Sequence, residues 1–236
     1  MPLIFSPLSE AVLDKPPKSL LPKHAFVMRQ LGDPPDVDLT MTQIVRNVLE
    51  ARGIGTIDAD ASTGAKDYLE RILGLIRSTG FTIAVFSHET RPSAMANIAL
   101  ELGFAAMCGK PLVIVKSTTA EAPSDLKRTD WIDYDPDDEA RFREKLEQAA
   151  DEIERLVVWE DILLGVSLEA RSMDCAVAFE RANKGFLLSG EERFIDAGEH
   201  ILQRLEDADE GFPIADLDRL RQEIKAFLRQ ARAALV

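Results

Sequence analysis

The stretch from Phe81 to Val115 contains every part of a parallel β-sheet unit. An apolar run, Phe81–Phe86, ends in a polar loop, and a helical pattern then continues to Gly109-Lys110-Pro111. A second apolar run, Leu112–Val115, follows. This order of strand, loop, helix and strand predicts parallel strands joined by a crossover helix. The nearly continuous apolar character of Phe81–Phe86 indicates a strand that is buried on both faces.

Similar segments surround this unit and extend the predicted sheet. His24–Met28 and Ile54–Asp58 are candidate strands before it, and Trp131–Tyr134 is a weaker candidate that suits an edge. Helical stripes separate the first three runs. We therefore predict an α/β domain over residues 24–136, in the flavodoxin-like strand order 2-1-3-4-5. In that order the chain changes direction between strands one and three, and ligands bind at the carboxyl ends of the strands there.

Local signals predict where the helices begin and end. Thr40 with Gln43 fits a capping box, and Ser93 after Pro92 is a candidate N-cap. Gly53 and Gly80 are expected to end the first two helices. Gly109 is expected to end the third.

The chain changes character after residue 136, where strand-like alternation stops. Residues 137–236 show helical stripes, among them one that includes Trp159, Leu163 and Val166, and predict a helical bundle domain. Because the stripes are heptad-like, they also suit pairing with a second copy or a helical partner protein. An intramolecular core is the alternative. Residues 1–23 contain five prolines and predict an extended N-terminal arm.

Composition restricts the partners and the compartment. The 236 residues carry a formal net charge of −13 without a Lys/Arg block, which argues against nucleic acid as a partner. No apolar span reaches about 18 residues and the first residues do not resemble a signal peptide, so we expect a cytoplasmic protein without a membrane anchor. Cys108 and Cys175 belong to no Cys/His cluster, so we expect no metal site.

Polar side chains gather where the predicted strands end. Glu101 is a carboxylate on an otherwise apolar helix that leaves the third strand, and Asn97 lies four residues before it, on the same predicted face. We expect Ile98, Leu102 and Ala105 to point elsewhere. The other candidate binding residues of this edge are Arg29, Asp58, Ser87 and Arg91.

A carboxylate at this edge can stabilise or capture the oxocarbenium-like carbon that forms when an N-glycosidic bond breaks. Asn97 and Ser87 are then candidates for binding sugar hydroxyls, and Arg29 for pairing with phosphate. Each residue has an alternative role: Glu101 could simply be solvated, Asp58 could form its loop, and Arg29 could anchor the acidic loop behind it. The loops contain neither GxGxxG nor GxxxxGK[ST], so neither a dinucleotide fingerprint nor a P-loop is predicted.

The run Asn97-Ile-Ala-Leu-Glu101-Leu-Gly103-Phe-Ala105, followed by Gly109-Lys-Pro111, resembles the nucleoside 2-deoxyribosyltransferase-like group. That group is close in fold to Toll/interleukin-1 receptor (TIR) domains, and the resemblance covers roughly residues 24–136. It implies that Glu101 is the catalytic residue. In the transferases the matching glutamate is the nucleophile on the sugar, and in enzymatic TIR domains it supports cleavage of the nicotinamide–ribose bond of NAD+.

The chain departs from both families near this run. Transferases of the group usually carry an aspartate at the end of strand three, where this chain has Ser87, as a TIR domain would. The Trp-Cys pair that often precedes the glutamate in TIR domains is absent. The resemblance does not extend to the helices after residue 136.

The predicted function is therefore cleavage of an N-glycosidic bond in a nucleotide, with NAD+ as substrate and no cofactor. The resemblance to TIR-like enzymes also suggests regulated assembly and a role in bacterial antiviral defence. One alternative is a nucleoside (deoxy)ribosyltransferase, and another is a non-enzymatic nucleotide-binding or scaffold module.

Overall fold

A five-stranded parallel sheet flanked by helices is followed by a helical C-terminal part. The computed structural model describes residues 17–61, 68–120, 131–169, 175–207 and 214–236. The strands are β1 (Leu21–Met28), β2 (Gly55–Ile57), β3 (Thr79–Phe86), β4 (Leu112–Ser117) and β5 (Trp131–Tyr134). The helices are α1 (Asp36–Glu50), α2 (Tyr68–Ser78), α3 (Pro92–Met107), α4 (Glu139–Glu169), α5 (Cys175–Ser189), α6 (Arg193–Asp207) and α7 (Ile214–Ala234).

The sheet has the strand order β2-β1-β3-β4-β5, and neighbouring strands are parallel throughout. This is the order that the apolar runs predicted, with Trp131–Tyr134 at one edge. β1 begins at Leu21, three residues before the predicted strand. Most of the predicted N-terminal arm lies outside the described residues. The predicted domain boundaries near residues 23 and 136 stay predictions.

Two apolar layers cover the two faces of the sheet. Alternate strand residues such as Val27 and Val85 pack with α1 and the first half of α4. Their neighbours, such as Met28 and Phe86, pack on the other side with apolar residues of α2 and α3. Because side chains alternate between faces, a residue just past a strand's end continues this alternation. This alternation determines the face of the sheet on which each candidate site residue lies.

Two helices begin earlier than the capping signals predicted. The capping box at Thr40 is wrong, because α1 already begins at Asp36, after Pro35 as its N-cap residue. Pro92, not Ser93, opens α3, and Arg91 is its N-cap residue. Proline suits the first helical position because the backbone N–H that it lacks would have no partner inside the helix.

Gly109 ends α3 as predicted. Its φ of 64° is left-handed, and the N–H groups of Gly109 and Lys110 donate to the carbonyl oxygens of Ala106 and Ala105. This pattern is a Schellman motif.

The prediction that Gly80 ends α2 is wrong, because Gly80 lies inside β3. A Cβ atom at Gly80 would come within 2.7 Å of the carbonyl oxygen of Leu187 on α5. The chain needs glycine here because the backbone of α5 approaches β3 this closely.

Helix α4 connects the sheet to the C-terminal helices. Its first half contributes Phe142, Leu146 and Ile153 to the layer that covers the sheet. Its second half contributes Leu164 to a separate apolar core with α5, α6 and α7. No helix in the described part of the chain is both long and apolar enough to span a bilayer.

We expect Gly80→Ala to lower the free energy of unfolding by about 1–3 kcal/mol, because the new methyl group must displace the α5 backbone. Gly74→Ala is the matched control, since a Cβ atom at Gly74 meets nothing within 4 Å. It should stabilise α2 by about 0.5–1 kcal/mol. Urea unfolding of both variants measures the difference. Equal stability of the two variants would contradict the close approach of α5 to β3.

Candidate functional site

The loops after β1 and β3 lie on either side of the point where the chain changes direction, and hydrogen bonds join them. The buried Gln30 side chain donates to the carbonyl oxygens of Gly32 and Asp33 within its own loop. Its oxygen accepts a 2.9 Å hydrogen bond from the backbone N–H of Arg91. The exposed Arg91 side chain donates back to the carbonyl oxygen of Gly32. Arg91, a predicted binding residue, therefore helps to hold the two loops together.

Arg29 and Asp58, two predicted binding residues, form a buried ion pair. The Asp58 Oδ2 atom accepts from Arg29 Nε at 3.1 Å and from Arg29 Nη2 at 2.8 Å. Arg46 of α1 donates to the same oxygen at 2.9 Å. The side chains of Arg29 and Asp58 are only 11% and 7% exposed. A bound phosphate would have to share Arg29 with this carboxylate, and the binding roles of both residues stay predictions.

Asp38 is a carboxylate of this edge that the sequence analysis missed. It lies in the first turn of α1 with 1% of its surface exposed. Its Oδ2 atom accepts a 2.8 Å hydrogen bond from the Thr90 hydroxyl. That hydroxyl in turn accepts one of 2.8 Å from the backbone N–H of Ser87. The structure therefore places a carboxylate beside Ser87, where the transferase-like group usually carries an aspartate of its own on strand three.

One oxygen of Asp38, Oδ1, is buried and has no hydrogen-bond partner among the described residues. An acidic side chain at the third helical position often accepts from the N–H of the N-cap residue. Here the N-cap residue is Pro35, which has no N–H. The sequence contained a signal for this residue, because an aspartate three positions after a proline pair suits the third position of a helix. The predicted helix start at Thr40 concealed this signal.

Burial raises the pKa of Asp38 above its ordinary value of 3.8. The hydroxyl groups of Ser87 and Thr90 oppose this rise, and the nearby charge of Glu89 adds to it. A carboxyl group with a raised pKa can hold or release a proton closer to neutral pH than an exposed aspartate can.

The structure buries Glu101, which the sequence did not predict. It is 8% exposed and lies on the buried side of α3 together with Ile98, Leu102 and Ala105. The prediction that these apolar residues point away from Glu101 is therefore wrong. Asn97 is exposed, so the two polar residues of α3 lie in different surroundings.

The predicted site residues are divided between the two faces of the sheet. Ser87 and Asp58 lie on the α1 side, where they meet Thr90, Asp38 and Arg46. Glu101 lies on the opposite side, in the layer of α2 and α3. It follows Pro92 by nine residues, which places it about 13 Å along the helix from the edge. A ligand that reaches both Glu101 and a carboxylate on the α1 side would have to enter between the ends of the strands and α3.

Among the described residues, no three His, Cys, Asp or Glu side chains are grouped so that they could hold a metal ion. No family model matches the chain, and neither a curated protein nor a solved structure matches it significantly. The function must therefore be inferred from the residues of this chain.

We expect Asp58→Ala to lower the free energy of unfolding by about 3–5 kcal/mol, because the buried Arg29 guanidinium is then left with the exposed Asp60 carboxylate, 3.4 Å away, in place of the buried one. Glu152→Ala is the control, since it removes an ion pair with Arg155 in which both side chains are more than 60% exposed. Its cost should be about 0–1 kcal/mol. Denaturant unfolding measures both, and a small loss for Asp58→Ala would contradict a structural role for the pair.

We expect Asp38→Asn to stabilise the fold at neutral pH. A raised pKa means that the folded state disfavours the ionised carboxylate, so ionisation of Asp38 costs stability above that pKa. The cost disappears as the pH falls through the folded pKa toward 3.8, so the advantage of Asn should shrink over this range. Urea unfolding at neutral pH and at a pH of about 4 tests this. A variant that is less stable than the wild type at neutral pH would show that the ionised group stabilises the fold.

Proposed function

We propose that this protein cleaves the N-glycosidic bond of a nucleotide, with NAD+ as the leading substrate and nicotinamide and ADP-ribose as products. The observation that carries the proposal is the burial of Glu101, the one charged residue of α3, on that helix's apolar side. A charged residue that a fold keeps out of water is a candidate for a functional group. The resemblance of Asn97–Ala105 to the transferase-like group supports the same residue.

In the proposed reaction the bond between the nicotinamide nitrogen and the ribose C1′ atom breaks, and its electron pair leaves with nicotinamide. The C1′ atom becomes electron-poor. The Glu101 carboxylate either stabilises this carbon or forms a bond with it. Water then attacks C1′ and loses a proton, which gives ADP-ribose; where Glu101 has bonded to C1′, this attack breaks that bond and the carboxylate leaves with its electron pair. The burial of Glu101 strengthens its attraction for the positive carbon, because less water screens the charge.

The other residues of the edge have binding roles in this proposal. Ser87 and Asn97 would position the ribose, and Arg29 would meet the phosphates while it remains close to Asp58. The parallel sheet with its change of direction between β1 and β3 supports a flavodoxin-like assignment, in which nucleotides bind at this place. Regulation by assembly, a role in bacterial defence and a cytoplasmic location belong to the same proposal.

Asp38 favours a second candidate, a nucleoside (deoxy)ribosyltransferase. In the transferase-like group the aspartate at the end of strand three helps to hold the base, and its absence from this chain weakens the case for base exchange. The structure provides a carboxylate at that place from α1 instead, in contact with Thr90 and beside Ser87. Its raised pKa suits a group that exchanges a proton or a hydrogen bond with a base.

We expect purified protein to release nicotinamide from NAD+, and Glu101→Gln to reduce the rate roughly 100-fold or more, because the amide cannot balance the charge at C1′. Glu147→Gln, at an exposed position of α4, is the matched control and should behave like the wild type. Chromatography of the products measures the rates, and thermal melting verifies that each variant is folded.

The same assay separates the candidates. Exchange of an added free base into a nucleoside, without release of nicotinamide from NAD+, would favour the transferase. Equal rates for Glu101→Gln and Glu147→Gln would contradict the role of Glu101. Neither reaction at any protein concentration would contradict both candidates and leave a binding or scaffold role.

A further inference from the structure

The second half of α4 exposes a continuous apolar surface, which we call the α4 stripe. It consists of Val158, Trp159, Ile162, Leu163 and Val166, whose exposed fractions lie between 39% and 64%. These positions recur at intervals of three and four residues, so they share one side of the helix. For part of this stripe the sequence predicts either an internal core or pairing between protomers, and no core formed by the described residues includes it.

The stripe carries no charge because the acidic residues of this segment face the chain's own helices. The Glu160 carboxylate lies 3.1 Å from Arg181 of α5, and only 14% of its side chain is exposed. The Asp161 carboxylate lies 2.5 Å from Arg193, at the start of α6. Asp161 and Arg193 are each 44% exposed, but both acids point away from the stripe and are paired with Arg residues, so the side of the helix that carries the stripe is left apolar.

We propose that the α4 stripe is a dimer interface that a second copy of this chain occupies. The exposed fractions correspond to an apolar area on the order of 500 Å² per copy, a size at which surface patches are often functional. Pairing two stripes would bury roughly 1,000 Å² in total, which reaches the lower limit for a specific interface. A dimer of this size should have a dissociation constant in the micromolar range.

The charge distribution indicates where two copies of the chain can approach each other. The formal net charge of −13 means that two copies repel each other over most of their surfaces. An uncharged stripe is the place where this repulsion is weakest and the gain from burying apolar area is largest. A partner that binds through basic residues would find no acidic group on the stripe itself.

Spacing favours an antiparallel arrangement. If a two-fold axis passes between Ile162 and Leu163, these two residues face each other across the pair. Trp159 then lies opposite Val166 of the second copy, so the largest side chain meets a small one at each end. The antiparallel arrangement also places the two sheets at opposite ends of the pair, since the first half of each α4 lies on its own sheet. This inference does not depend on any activity at the carboxyl ends of the strands.

Sedimentation velocity of the full chain over a range of concentrations tests the proposal. We expect a monomer–dimer equilibrium that Ile162→Glu weakens by roughly tenfold or more, because a charge then enters the apolar interface. Met107→Glu is the matched control, since Met107 is 52% exposed but lies on α3. It should dimerise like the wild type. Circular dichroism verifies that both variants are folded.

Disulfide cross-linking tests the arrangement in a chain whose two cysteines, Cys108 and Cys175, are replaced by alanine. A mixture of Trp159→Cys and Val166→Cys chains should cross-link under mild oxidation, and either variant alone should not. Cross-linking of Trp159→Cys with itself would overturn the antiparallel arrangement. A monomer at all concentrations, or a dimer that Met107→Glu disrupts and Ile162→Glu does not, would overturn the interface.

Discussion

Burial of β3 on both faces is the constraint on which the rest of the structure depends. All eight residues of Thr79–Phe86 are buried, because the layer of α1 and α4 covers one face and the layer of α2 and α3 covers the other. A strand in this position must be central, and its neighbours must be parallel strands whose helices return on both sides. The end of β3 thereby becomes the place where polar groups from several loops meet, since the strand itself carries only the hydroxyl groups of Thr79 and Thr82, which donate to backbone carbonyl oxygens.

The sheet could be predicted from the sequence, and the surroundings of the site could not. Apolar runs such as Phe81–Phe86 predict which segments are strands. Short connections then leave few possible strand orders in the sheet. By contrast, Gly80 resembles a helix stop in the sequence, and only the approach of Leu187 from a distant helix shows its role. Contacts between segments that are far apart in the chain leave no local signal.

The two carboxylates show the same limit in different ways. Glu101 was recognised from its type and position, but its burial depends on how α3 rotates against the sheet, which an apolar helix with little amphipathic contrast does not reveal. Asp38 was missed because the start of α1 was placed five residues too late. One carboxylate lies at the edge beside Ser87 and the other within an apolar layer, so the protein offers two chemically different acids on the two sides of β3.

Helix α4 has a consequence for how the molecule unfolds. The same 31-residue helix supplies Phe142 to the sheet's outer layer and Leu164 to the core of the C-terminal helices. Helix α5 touches the sheet as well, where Leu187 meets Gly80. A chain that is cut near residue 136 would expose the part of the β3 face that α4 covers, and the severed helices would lose the surface on which they pack. The sheet and the bundle should therefore melt together as one cooperative unit, although their sequences resemble two separate modules.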